Sequence, residues 1–361
     1  MATLQKPTVL VLGASGQIGR FVVQQLDQTP DEVHVRVAAR TPERCLALQQ
    51  EGRDAVLLDL DQPNTFAATL RGVDRVFLLT GYTVAMLVQS KAFVDAAKKA
   101  RVQHIVHLGV FGHWDCTDPH IAWHQLVETY IEASGIPWTH LHPNMFMEQI
   151  PRFMKIRNDR FRVFWGPDRM GWVASRDVGA AAATVLREGP VKHSGQNYWL
   201  SVEVAGGGQL AAIFSEVLGR SIRCDYEKPE NFASVMALTD DYRVESWYAA
   251  GAMEFLQQFF DGRMGDFGVV RDDTPYLMSK PAMTLKQWAM ENRSSLEGQL
   301  SNSSCSFLAC CKSSMDGPVA KNRKRERMVS LRSLLPTEQS CEGGEKLGSP
   351  VQILVLPLTL I

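Results

Sequence analysis

Short apolar runs alternate with longer stretches whose apolar residues return every three or four positions. The first run, Val9-Leu10-Val11-Leu12, is rich in β-branched residues and stops at Gly13, Gly16 and Gly19. Ile18, Phe21, Val22 and Leu26 then fall on one helix face. Comparable runs recur at Val33 to Ala38, Asp54 to Asp59, Gly72 to Gly81, Val102 to Leu108 and Ile136 to Leu141. Between the fourth and fifth runs, Met86, Phe93, Ala97 and Ala100 form the apolar stripe of a helix from about Val84 to Ala100. Strands separated by helices must pair in parallel, so the pattern predicts an α/β fold with a doubly wound parallel sheet of Rossmann type. A ligand is then expected over the carboxyl ends of the strands.

The first turn carries the most specific chemistry. Gly13 permits a tight exit from the strand, Gly16 lets backbone approach a pyrophosphate, and Gly19 lets the helix pack closely on the sheet. With Ala14, Ser15, Gln17 and Ile18 they form a phosphate cradle at a helix N-terminus. The second strand ends at Arg40, where an NAD-preferring fold places an acid to bind the ribose hydroxyls. An arginine there, with Arg44 a turn later, suits a 2′-phosphate and therefore NADP(H). Asp59 ends the third strand, either beside the adenine or as an ordinary loop or cap acid. Thr80 ends the fourth on the pyrophosphate side.

This organisation divides the chain into a Rossmann domain at 6–150, a smaller substrate or lid region at 151–298, and a tail at 299–361. In the second part, Asp177 is expected to cap an alanine-rich helix. Phe232, Met236, Tyr242, Trp247, Tyr248, Phe255, Phe259 and Phe267 suit either a lid over a flat apolar ligand or a small core. The tail changes texture, with a Ser-rich stretch, paired Cys310-Cys311 and a basic run from Lys321 to Arg327, and is expected to be disordered.

Composition narrows the partners. A net charge of −1 leaves no electrostatic footprint for nucleic acid or an anionic membrane. The first strand begins too early to leave room for a signal or transit peptide, so a cytoplasmic protein is expected, as monomer or homodimer. The seven cysteines are scattered or confined to the tail, and no spacing resembles a zinc site, so no metal is expected.

Several segments together resemble the NmrA-like family of atypical short-chain dehydrogenases/reductases, alongside quinone, azo-dye and triphenylmethane reductases. They are Gly13 to Gly19, Ala38 to Arg44, Ser134 to Phe146, Ser175 to Val178 and Ser215 to Arg220. The resemblance implies NADPH-dependent hydride transfer to a hydrophobic, aromatic, quinonoid or iminium-type molecule. It equally implies a second reading, a non-catalytic NADP(H)-sensing regulator that binds a protein partner. Asn144 and Phe146 match the family segment that lines the pocket. The Tyr-x-x-x-Lys dyad of typical short-chain dehydrogenases is absent from the stretch Gly112 to Tyr130. His120 and His124 there share a helix face by their spacing. His124 is the candidate proton donor and His120 a pocket residue. The bland alternative is that His124 and Glu128 only hydrogen-bond locally, with protonation left to water.

Overall fold

A computed structural model describes residues 6–232, 235 and 246–297, the last segment by backbone alone over 246–249. The expected tail at 299–361 lies outside the described residues, as do Met236 and Tyr242 and the side chains of Trp247 and Tyr248.

The six expected strands are all present: β1 (Thr8–Val11), β2 (His34–Ala39), β3 (Asp54–Leu57), β4 (Arg75–Leu78), β5 (His104–Leu108) and β6 (Trp138–Pro143). Two short strands, β7 (Met145–Phe146) and β8 (Arg160–Val163), then β9 (Met170–Val173), follow before β10 (Gln196–Leu200). The main sheet has seven strands in the order β10-β6-β5-β4-β1-β2-β3, every neighbouring pair parallel. Its seventh strand is contributed from beyond residue 150, so the sheet does not end where the sequence division places it.

Alternation along the strands sorts the core into two layers. Val9 and Val11 face helices α1 (Gly19–Leu26) and α7 (Ser175–Glu188). Leu10 and Leu12 face the opposite layer, which includes Phe66, Phe93, Val127 and Ile131 from α3 (Phe66–Thr69), α4 (Met86–Lys99) and α5 (Pro119–Ser134). The helix α2 (Pro42–Gln50) joins β2 to β3, capped by Thr41. This two-period packing, two for strands and 3.6 for helices, is what the apolar pattern encodes.

The remaining described residues form a separate core around Phe161, Phe164, Trp172, Phe214, Phe259 and Phe267. There β9 pairs antiparallel with β11 (Glu203–Ala205) and parallel with β7, while β8 pairs with β12 (Arg223–Tyr226). Phe255, Phe259 and Phe267 pack edge to face at 5.1–5.4 Å, so these aromatic residues serve as core. Asp177 does not cap α7. Its Oδ2 accepts the Met283 N–H at 2.7 Å, tying the C-terminal segment to the helix.

Candidate functional site

The sheet's order reverses between β1 and β4, and the glycine turn lies there. Gly13 has φ +64°, which favours glycine, and a Cβ on it would stand 2.6 Å from Leu79 Cδ2, so that side chain would have to shift. A Cβ at Gly16 would press on the Gly13 carbonyl at 3.1 Å, and one at Gly19 would overlap it. The N-terminus of α1 has neither a side-chain cap nor an acidic residue in its first turn. The helices α2 and α5 are capped by Thr41 and Asp118, while α3, α4 and α7 also lack a side-chain cap, so the glycine turn is what sets the start of α1 apart. A helix start left uncapped by its own chain, with the positive end of its dipole exposed at a switch point, fits an anion such as a pyrophosphate.

Around this turn, Ala14 and Gly16 are half-buried, Ser15 is exposed and Ile18 is buried in the core. The Gln17 side chain donates to Ser175 Oγ at 2.6 Å, which itself donates to Glu148 Oε2 at 2.6 Å. Arg40 is exposed at the carboxyl end of β2 and makes no ion pair among the described residues, whereas Arg44 lies 3.6 Å from Glu51. Thr80 is buried just beyond β4. Asp59 has both carboxylate oxygens committed to its own loop, accepting Asp61 N–H at 3.1 Å and Gln62 Nε2 at 3.0 Å. The loop-acid alternative therefore describes its side chain.

Asp118, whose carboxylate accepts the Ile121 N–H at 3.1 Å, starts α5 and sets the phase of its histidines. His120 and His124 do share a face, their rings 5.6 Å apart, and Tyr82 packs against both. The Tyr82 hydroxyl lies 3.3 Å from His124 Nε2. His124 is 2 % exposed, and burial drives its imidazole well below the usual histidine range, with His107, His120 and His142 adding to the effect. Burial thus favours its neutral form, which carries a single ring N–H, over an imidazolium. Burial likewise lowers His120 to about 4. Asn144 is also not free to meet a ligand. Its Nδ2 donates to Phe267 O at 3.0 Å and Ser201 Oγ at 3.3 Å, and its Oδ1 accepts Met145 N–H at 2.8 Å. It fastens the segment after β6 to the chain beyond β10. Phe146 is half-buried against the layer that holds α7.

The profile of the NmrA-like family matches residues 5–266. The chain belongs to the NmrA-like family. It is 27 % identical over 292 residues to an NAD(P)H azoreductase of Xenophilus azovorans, covering 78 % of this chain and 96 % of that protein. It is 30 % identical over 289 residues to a (4-alkanoyl-5-oxo-2,5-dihydrofuran-3-yl)methyl phosphate reductase of Streptomyces griseus, covering 79 % and 97 %. Its fold matches that of Citrobacter sp. triphenylmethane reductase complexed with NADP(H), with TM-score 0.67 and 22 % identity, over 81 % of this chain and 100 % of the other. Among the described residues no helix is long and apolar enough to cross a membrane.

Sequence reasoning about this NmrA-like chain missed Tyr82. Its signal is positional, since it follows the carboxyl end of β4 by a few residues and so lies at the ligand edge of the sheet. Tyr82 is 43 % exposed and touches both α5 histidines, which makes it the accessible hydroxyl beside them. Glu148 and Ser175 were also missed. They orient Gln17, and nothing in spacing links positions so far apart.

Proposed function

We propose that this chain is an NADPH-dependent reductase of hydrophobic, aromatic or quinonoid small molecules. The observation that carries the proposal is the start of α1, with its three glycines, no cap of its own and no acid in its first turn, at the switch point of the sheet. The turn from Gly13 to Gly19 holds the pyrophosphate, and Arg40 pairs with the 2′-phosphate. When bound, NADPH supplies a hydride. The azoreductase and the (4-alkanoyl-5-oxo-2,5-dihydrofuran-3-yl)methyl phosphate reductase that the chain resembles along most of their length support a reductive role.

The chain's own residues act by positioning. His124, neutral and buried, orients the Tyr82 hydroxyl through its Nε2. Acceptors such as quinones and conjugated cations draw the hydride by their own electrophilicity, so alignment supplies most of the rate and protonation comes from water. The test is NADPH oxidation measured against a panel of quinones and azo dyes. Turnover dependent on the acceptor supports the reductase. Tight NADPH binding with no oxidation across the panel would overturn it in favour of a redox-sensing regulator.

A further inference from the structure

Behind Tyr82, α5 lies across β5 and β6 and encloses an unusual group of side chains. His107 on β5 is paired in register with His140 on β6, and both point to the face that α5 covers. Their rings stand 5.4 Å apart and both side chains are wholly buried. Neither ring nitrogen of His107 and neither of His140 has a hydrogen-bond partner. Glu128 projects into the same space from α5, with Oε1 3.7 Å from His107 Nδ1 and directly above Gly109, where any Cβ would collide with it. Four orphaned nitrogens and a carboxylate in one interior volume call for a partner, because buried polar atoms are nearly always satisfied.

We propose that His107, Glu128 and His140 bind a divalent transition-metal cation of the Zn2+ class, with Glu132 closing the site. One ligand atom from each of the first three lies within 4.8 Å of the others. A tetrahedral ion with bonds of about 2.1 Å has ligand edges of about 3.4 Å, so a closing of about 1.4 Å brings these three ligand atoms to bonding distance. Glu132, one turn after Glu128, sits with Oε1 3.6 Å from His140 Nε2 and its side chain 45 % exposed, offering both a fourth ligand and an entry path. Two carboxylates balance the charge of the dication, so the filled site buries no net charge. The donor set argues for zinc-like ions over Mg2+ or Ca2+, which take oxygen ligands. His142 is not a ligand, since its nitrogens already meet Val110 O at 3.1 Å and Asn197 Oδ1 at 2.9 Å. It stands 3.6 Å from Glu128 Oε1.

The test uses the untagged full-length chain with Cys305, Cys310, Cys311 and Cys341 replaced by serine, so that tail thiols do not compete. After chelator treatment, the protein is titrated with ZnCl2 by calorimetry and with Co2+ by visible absorption. One equivalent is expected to bind, with a tetrahedral Co2+ spectrum. His140→Phe and Glu128→Gln should each weaken zinc by at least about 100-fold. Should those fail to fold, Glu132→Gln, which changes an exposed residue, is expected to weaken it by about 10-fold. His113→Ala, removing the exposed imidazole between Asp115 and Asp266, should leave affinity unchanged. Absence of stoichiometric binding by the parent protein, full affinity in a folded His140→Phe, or loss of binding in His113→Ala would each overturn the proposal.

Discussion

Replacing Gly19 by alanine tests the cradle more sharply than any charge change. The new Cβ would overlap the Gly13 carbonyl oxygen, stand 2.6 Å from its carbon and 3.0 Å from Ala14 N. These are backbone atoms, which no side-chain rotation can move aside. Carbon–carbon contacts begin near about 3.5 Å, so the turn must shift by about 0.9 Å relative to α1. That displacement misaligns N–H donors aimed at phosphate, and one charge-assisted hydrogen bond is worth about 1.5–3 kcal/mol. NADPH affinity is therefore expected to fall by about 10- to 100-fold, with about 1–3 kcal/mol of stability lost to overpacking. Gly72→Ala is the contrasting control, because Gly72, unlike Gly19, has positive φ (+70°), and nothing lies within 4 Å of its Cβ position. It should lose about 1–2 kcal/mol through the left-handed backbone and leave NADPH affinity unchanged. Calorimetric titration with NADPH, beside urea denaturation of both variants, separates the two effects. A folded Gly19→Ala protein that binds NADPH as tightly as its parent would refute the cradle.

Arg40→Ala is expected to weaken NADPH by at least about tenfold and NADH hardly at all, and equal weakening of both would make the residue structural. His124→Phe should keep acceptor turnover within a few-fold of the parent, because the acceptor takes its proton from water; a loss of about a hundredfold would restore His124 as a general acid. His104 supplies a pH prediction. It is fully buried beside Thr139 Oγ1 at 2.9 Å, and burial, with Arg75 and His193, lowers it to about 3. A histidine depressed on folding contributes stability that is present above about pH 6.5 and lost as pH falls toward 3, or about 2 kcal/mol by pH 5. Urea midpoints at pH 7 and pH 5 should differ less in His104→Val than in the parent, and an unchanged difference would refute the assignment. Thr139 keeps its bond to His193 O at 2.6 Å in that variant, so the comparison is not confounded by a new orphan.

Local rules account for much of this molecule. Six strands, the winding of the sheet and the glycine turn follow from apolar period and from positions that tolerate no Cβ, and both are properties of a few consecutive residues. The shared face of His120 and His124 follows equally from helix geometry. What a side chain does in its surroundings was decided elsewhere. Asn144 is spent on Ser201 and Phe267, Gln17 on Ser175, and Asp177 on Met283, partners that lie far along the chain and meet only when the layers close. Burial decided the rest, since His124 becomes neutral through the elements packed over it rather than through its neighbours in sequence.

The strand β10 and the histidine cluster show the same division. The run Gln196 to Leu200 joins the sheet because β6 offers it an open parallel edge, which the run's own pattern does not reveal. His107, Glu128 and His140 have no motif spacing. Strand register sets the two imidazoles side by side, and the crossing of α5 brings the carboxylate onto them. Sequence alone determined the first six strands, the helix after the glycine turn and the turn itself, because those depend on local backbone freedom and the period of burial. Tertiary structure alone decided which polar groups meet and which are stripped of water, because desolvation and long-range pairing exist only once the sheet and its helices are assembled.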